Sequence, residues 1–152
     1  MMSLGRTPRQ DVAPALFRLL ADSAVSRAAL GACGFPVALV DARDKGRSFS
    51  YVNPAFERFF GYRTDEVVGK PAITLLFPQD QNAAQMFAEA PARVEMSARR
   101  KDASAAKVEL TIGMVHDAEG ALSHWVLAFA DRSEIERLRE ELRVLRSLAS
   151  VP

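Results

Sequence analysis

"SYVNPAFERFFGYRTDEVVGK", Ser50 to Lys70, decides how the rest of the chain is read. It opens as the end of a strand with period two, in "RSFSYVN". Asn53 followed by Pro54 then marks a helix start. The asparagine side chain suits the capping position, and a proline in the first turn gives up an N–H that has no helical partner anyway. "PAFERFF" reads as a short helix ended by Gly61. Thr64, Asp65 and Glu66 open another, with a capping hydroxyl followed by acids in the first turn, where the helix dipole favours negative charge. Gly69 closes it.

On the N-terminal side, "FPVALVDA" pairs naturally with "RSFSYVN" through the turn at Asp44, Lys45 and Gly46. Upstream, residues 1–10 are polar and read as a disordered N-terminus. Residues 11–31 read as an N-terminal helix, capped by Asp11, with Pro14 in its first turn and Gly31 as its stop. Its apolar face is Leu16, Leu20, Ala24 and Ala28.

On the C-terminal side, "AITLLF" and "DQNAAQMFAEA" read as one or two short helices. Three alternating strands follow. Val94, Met96 and Ala98 share one face of the first; Val108, Leu110, Ile112 and Met114 one face of the second; Trp125, Leu127 and Phe129 one face of the third. "DAEG" turns between the last two. Two strands, several short helices and three strands predict an α+β fold, an antiparallel sheet with the helices gathered on one face. Residues 32–131 form this core.

The tail, residues 132–150, is helical and amphipathic. Ser133 and Glu136 match a capping box. Ile135, Leu138, Leu142, Leu145 and Ala149 fall on the a and d positions of a heptad, with Glu134 and Glu141 at g and Arg139 and Arg146 at e. Two readings follow: self-pairing into a parallel coiled coil, and a helix folded back on the sheet. Agreement in sign of two g–e pairs favours a homodimer with Ile135, Leu138, Leu142 and Leu145 at its interface. Such exposed pairs contribute only ~0.2–1 kcal/mol each, so they set orientation more than strength. Two heptads need help from the domain to hold a dimer.

Composition excludes several classes. The 152 residues carry 20 basic and 19 acidic side chains, a net charge of +1, which gives no case for nucleic acid as the main partner. The single cysteine, Cys33, cannot form an internal disulfide. No apolar run approaches the ~20 residues of a membrane span. "MMSLGRTPRQDVAP" lacks the apolar centre of a secretory signal. A cytoplasmic setting is the expectation.

Together, "SYVNPAFERFFGYRTDEVVGK", "RRKDAS" and "VHDAEGALSHWVLAFADRSE" give residues 32–131 a resemblance to PAS domains. The first stretch is most similar to the light-oxygen-voltage (LOV) branch, and the layout of flanking helices resembles the short bacterial LOV proteins. The resemblance implies a five-stranded antiparallel sheet cradling a ligand or cofactor against its helices.

LOV domains continue after the glycine–lysine step with asparagine, cysteine, arginine, phenylalanine, leucine and glutamine. Here Pro71 stands at the asparagine, Ala72 at the adduct cysteine, Ile73 at the arginine that meets the flavin phosphate, and Leu76 at the glutamine. The strand positions that carry two asparagines and a glutamine toward the flavin ring match Ala98, Val108 and Phe129. The cofactor-binding positions are therefore Ala72, Ile73, Leu76, Ala98, Val108, Leu110 and Phe129, all apolar. Each flavin heteroatom left unmatched in a dry pocket costs ~1–3 kcal/mol. The expectation is a pocket without flavin. Flavin without adduct chemistry, sensing light or redox state, is the alternative; a small apolar ligand is another. Arg132, in the hinge from sheet to tail, stands where the family usually carries an aliphatic residue.

Other chemistry is poorly supplied. Haem needs an axial ligand, and His116 and His124 lie off the helical wall where one is expected. Cys33 and two separated histidines have no metal-ligand spacing. Ser123 and His124 are adjacent on a strand and are expected on opposite faces. Arg99, Arg100 and Lys101 read as a solvated hairpin tip. His124, Val126, Ala128 and Ala130, extended by Val37 or Ala38, give the outer sheet face an apolar strip that invites cover by a terminal helix or a second subunit. The sequence thus predicts a non-enzymatic sensory and signalling module, homodimeric through its flanking helices. With no kinase, cyclase or DNA-binding segment in the chain, it is expected to act through a protein partner.

Overall fold

The computed structural model describes residues 23–149 of the 152. Residues 1–10, the cap at Asp11, and Pro14, Leu16 and Leu20 lie outside them. Helix α1 (Ser23–Ala32) leads into strands β1 (Val37–Asp41) and β2 (Phe49–Val52). Four short helices follow: α2 (Pro54–Phe60), α3 (Thr64–Val67), α4 (Ala72–Leu76) and α5 (Ala83–Ala88). Strands β3 (Ala92–Arg99), β4 (Ala105–His116) and β5 (Leu122–Asp131) complete the sheet, and α6 (Ser133–Ala149) leaves it. The five strands are antiparallel in the order β2-β1-β5-β4-β3. This is the α+β arrangement that the alternating segments predict.

Local chemistry explains most boundaries. Asn53 caps α2, its Oδ1 accepting from the Phe56 N–H at 3.0 Å. Gly61, at φ +84°, ends α2 in the left-handed conformation that glycine adopts without a Cβ clash. Gly69, at φ +86°, turns the chain so that its N–H donates to Phe49 O, while Lys70 O accepts from Phe49 N. These bonds close part of the outer edge of β2.

Several local readings are corrected. Helix α1 runs past Gly31 to Ala32; its Ala28 is exposed, and Leu30 is the residue buried against the sheet. Thr64 is the first residue inside α3 rather than its cap. Its N–H and hydroxyl both donate to Glu57, and Glu66 reaches back to accept from Arg63 N at 2.8 Å. At α6, Asp131 Oδ1 accepts from Ser133 N at 2.9 Å and Glu136 pairs with Arg139, so the terminus is held by the aspartate rather than by a Ser133–Glu136 box. The β3–β4 hairpin tip is solvated, as read, and is also docked on its inner side. Arg100 stacks on Phe59 at 4.7 Å and donates to its carbonyl, and Lys101 bonds both Phe60 O and Glu66. Hydrogen bonding by Lys101 holds the Glu66 carboxyl below its usual range.

The inner face of the sheet and helices α2–α5 enclose the main core. The outer face carries a smaller cluster of Leu30, Val37, Val115 and Val126. Val37 therefore extends the outer strip, Ala38 belongs to the inner core, and α1 supplies cover.

Candidate functional site

The inner chamber is anchored by Asn53, a residue whose sequence signal was only that of a helix start. It is fully buried. Its Oδ1 also accepts from Val37 N at 2.9 Å, and its Nδ2 donates to Leu30 O at 2.9 Å and Phe35 O at 3.0 Å. One amide thus ties α1, β1 and α2 together, with its buried polar atoms satisfied.

Alternation along β3, β4 and β5 brings Ala98, Val108, Leu110 and Phe129 to the inner face, and all four are buried. Leu110 lies opposite Phe129, and Ala98 opposite Ala106, a buried alanine absent from the sequence-derived set. From α4, Ala72 and Leu76 are buried in the same core, with Ile73 partly buried against it. Six of the seven sequence-derived positions thus belong to one buried cluster, and Ile73 packs against it.

Phenyl rings occupy its middle. Phe56 and Phe60 lie 4.6 Å apart, Phe60 meets Phe129 at 5.1 Å, and Phe49 meets Phe56 at 5.6 Å. The last two contacts are edge-on and the first is tilted, and aromatic pairs of this kind favour a fixed packing beyond the area they bury. At the other end Phe87 and Trp125 lie 4.6 Å apart, with the Arg47 guanidinium over both rings at 5.3 and 5.4 Å. Arg47 also donates to Ala84 O at 3.2 Å, which fastens α5 down. Trp125 Nε1 is buried and meets no acceptor among the described residues.

A cleft of about 750 Å³ opens beside the chamber. Leu76 to Gln81 form one wall; Ser97, Ala98, Arg99 and Ala103 to Ala105 form the other. Leu76 and Ala98 reach it at their edges. The outer face places His124 next to Ser123, contrary to simple alternation. Register slips between Val115 and His116, so Ser123 is an extra residue in β5. Its hydroxyl donates to Val115 O at 3.1 Å and lies 3.1 Å from His124 Nδ1. That proton faces a carbonyl, so the pair is not an activated nucleophile. Burial pushes His124 below its usual range, with Asp41 opposing and Arg43 reinforcing the shift.

Along α6, Ile135, Leu138, Leu142 and Leu145 are 41%, 46%, 54% and 61% exposed, so the helix does not fold its apolar stripe onto the sheet. Val144 and Leu148 are exposed beside them. Arg137–Glu141, Arg139–Glu136 and Arg143–Glu140 pair along the helix itself.

Among the described residues there is no group of three histidine, cysteine or acidic side chains that could hold a metal, and no helix long and apolar enough to cross a membrane. A five-stranded antiparallel sheet with short helices over its inner face and a helix leaving its last strand defines a class of α+β domain. The chain belongs to the PAS family: the PAS fold matches residues 27–132. Among curated proteins it is similar to the bacterioopsin transcriptional activator of Halobacterium salinarum (strain ATCC 700922 / JCM 11081 / NRC-1). Identity is 28% over 144 residues, 91% of this chain and 21% of that protein. The chain thus spans about a fifth of the length of that curated relative.

LOV proteins are among its structural neighbours. It resembles an RNA-binding light-oxygen-voltage receptor with a TM-score of 0.69 and 23% identity, over 85% of this chain and 38% of that one. It also resembles the LOV domain of the Erythrobacter litoralis EL346 blue-light activated histidine kinase, with a TM-score of 0.55 and 26% identity, over 65% of this chain and 96% of that one.

Proposed function

We propose that this chain is a non-catalytic PAS signalling module that works without flavin, homodimerises through its flanking helices and passes its signal to a protein partner. The observation that carries the reading is the packing of Phe56, Phe60 and Phe129 against a wall of Ala72, Leu76, Ala98, Val108 and Leu110. A flavin ring in that volume would have to displace phenyl rings. It would then meet hydrocarbon at the positions where a LOV domain supplies hydrogen-bond partners. The flavin-bearing alternative draws support from the LOV neighbours.

The exposed α6 stripe supports the dimer. Apolar side chains 41–65% exposed in a row gain by burial against a second copy, up to ~1.5–3 kcal/mol for each side chain fully removed from water. The lone cysteine fits a reducing, cytoplasmic setting. A transcriptional activator and a histidine kinase among the relatives fit a role in signal relay. The open cleft beside Leu76 and Ala98 favours a second reading, in which a small, mostly apolar molecule lodges there.

Light scattering on the purified chain tests the dimer. A particle of twice 16.7 kDa is expected, and a 16.7 kDa particle at high micromolar concentration overturns it. Comparing native with denatured mass tests the second reading, which predicts a retained small molecule released on denaturation.

A further inference from the structure

Glu95 on β3 and Glu109 on β4 lie directly opposite each other, a like-charge pairing that is unfavourable by itself. Arg132 resolves it. One guanidinium nitrogen sits 3.0 Å from Glu95 and the other 3.7 Å from Glu109, while Arg93 approaches Glu109 at 3.5 Å from the other side. The Arg132 side chain is only 16% exposed, and its Nε is buried. Ala130, opposite Glu109 on β5, adds only a methyl group to that part of the outer face.

Arg132 is also the single residue between β5 and α6. Its N–H donates to Lys107 O at 2.8 Å, which extends the β4–β5 ladder by one bond. Its carbonyl accepts from Glu136 N at 2.9 Å, the first helical bond of α6. Backbone and side chain thus join the helix root to two strands at once. Loss of the ion pairs would leave that root held to the sheet by its backbone bonds and the Asp131 carboxylate on Ser133 N.

We propose that Arg132, Glu95 and Glu109 form an ionic latch that fixes how α6 leaves the sheet, and that its release frees the helix root. The Arg132–Glu109 pair, with side chains 16% and 27% exposed, outlasts salt better than the exposed pairs along α6 do, whereas Glu95 is 62% exposed. The latch therefore couples any shift between β3 and β4 to the helix without unfolding either. Its role in signalling rests on the reading of α6 as the dimerising output helix.

Amide hydrogen exchange by NMR, with light scattering on the same samples, tests the latch. In Arg132→Met, exchange at the hydrogen-bonded amides of Ser133 and Glu136 should rise about tenfold or more, while the core amides of Leu110 and Leu127 change little. Glu95→Gln should give a smaller rise at the same amides. Combining Arg132→Glu with Glu95→Arg should recover protection lost in Arg132→Glu alone. Unchanged exchange at Ser133 and Glu136 in Arg132→Met, an equal rise at Leu110 and Leu127, or no recovery in the charge-swapped pair overturns the latch. A monomeric wild type would instead remove the dimer reading and leave the latch standing.

Discussion

The Phe129 ring meets the Phe60 ring edge-on, with centroids 5.1 Å apart and planes at 77°. Both are buried to within 1% of completeness, and Phe56 touches each of them. Phe129 joins the last strand, from which α6 emerges, to helix α2. Phe129→Ala should destabilise the domain by about 3–5 kcal/mol in urea denaturation, because the cavity cannot collapse between a strand and a helix fixed elsewhere. A loss below about 1 kcal/mol would mean that the ring is not part of a tightly packed centre.

Asn53 supports that centre from one end. Asn53→Ala leaves Val37 N, Phe56 N, Leu30 O and Phe35 O without their side-chain partner. At about 1 kcal/mol for each bond, the loss should reach about 3–4 kcal/mol. Asn53→Asp keeps the acceptor and removes both donors. It should therefore release α1, seen as faster exchange at Leu30, before α2 is affected. Equal loosening of α1 and α2 in Asn53→Asp would contradict this division.

These two residues also mark what the sequence reveals and what it hides. Phe129 was legible as an inward position because β5 alternates cleanly, and the cap at Asn53 was legible because it precedes a proline. The further bonds of Asn53 span 16 to 23 residues, and no local pattern encodes them. Ala106 was within reach of the same alternation, two residues before Val108 on the buried face of β4, but its small side chain gave no apolar signal of its own. Ser123 and His124 were misread because a bulge interrupts the period on which the reading relied. The basic tip is solvated as its sequence suggests, but the contacts of Arg100 with Phe59 were hidden because they join residues 41 apart. Arg132 was visible as an unusual hinge residue, yet its partners lie on two other strands.

The α6 stripe yields a direct test of assembly. Leu138→Glu with Leu145→Glu should convert dimers to monomers in light scattering, with the circular dichroism of the sheet retained. Both side chains are already exposed, at 46% and 61%, so the substitutions cost the isolated chain little. An unchanged mass would remove α6 from the interface.

His124 predicts a pH dependence. Its pKa in the fold lies below the ordinary 6.5 because burial disfavours the imidazolium. As pH falls, the unfolded chain therefore takes up this proton first. The contribution is fully present above the unfolded value of 6.5 and is lost as pH drops below it. His124→Gln should lose less stability than the wild type between neutral and mildly acidic pH, and the wild-type ring should titrate below 6.5 by NMR. A midpoint above 6.5 would reverse the sign.

The central claim is that hydrocarbon fills the volume where related domains carry a chromophore. Absorption spectroscopy tests it most directly, on protein refolded with excess flavin mononucleotide and then passed over a sizing column. The account predicts only the aromatic band of Trp125, the tyrosines and the phenylalanines in the protein fraction. A structured blue band eluting with the protein in stoichiometric amount would contradict it.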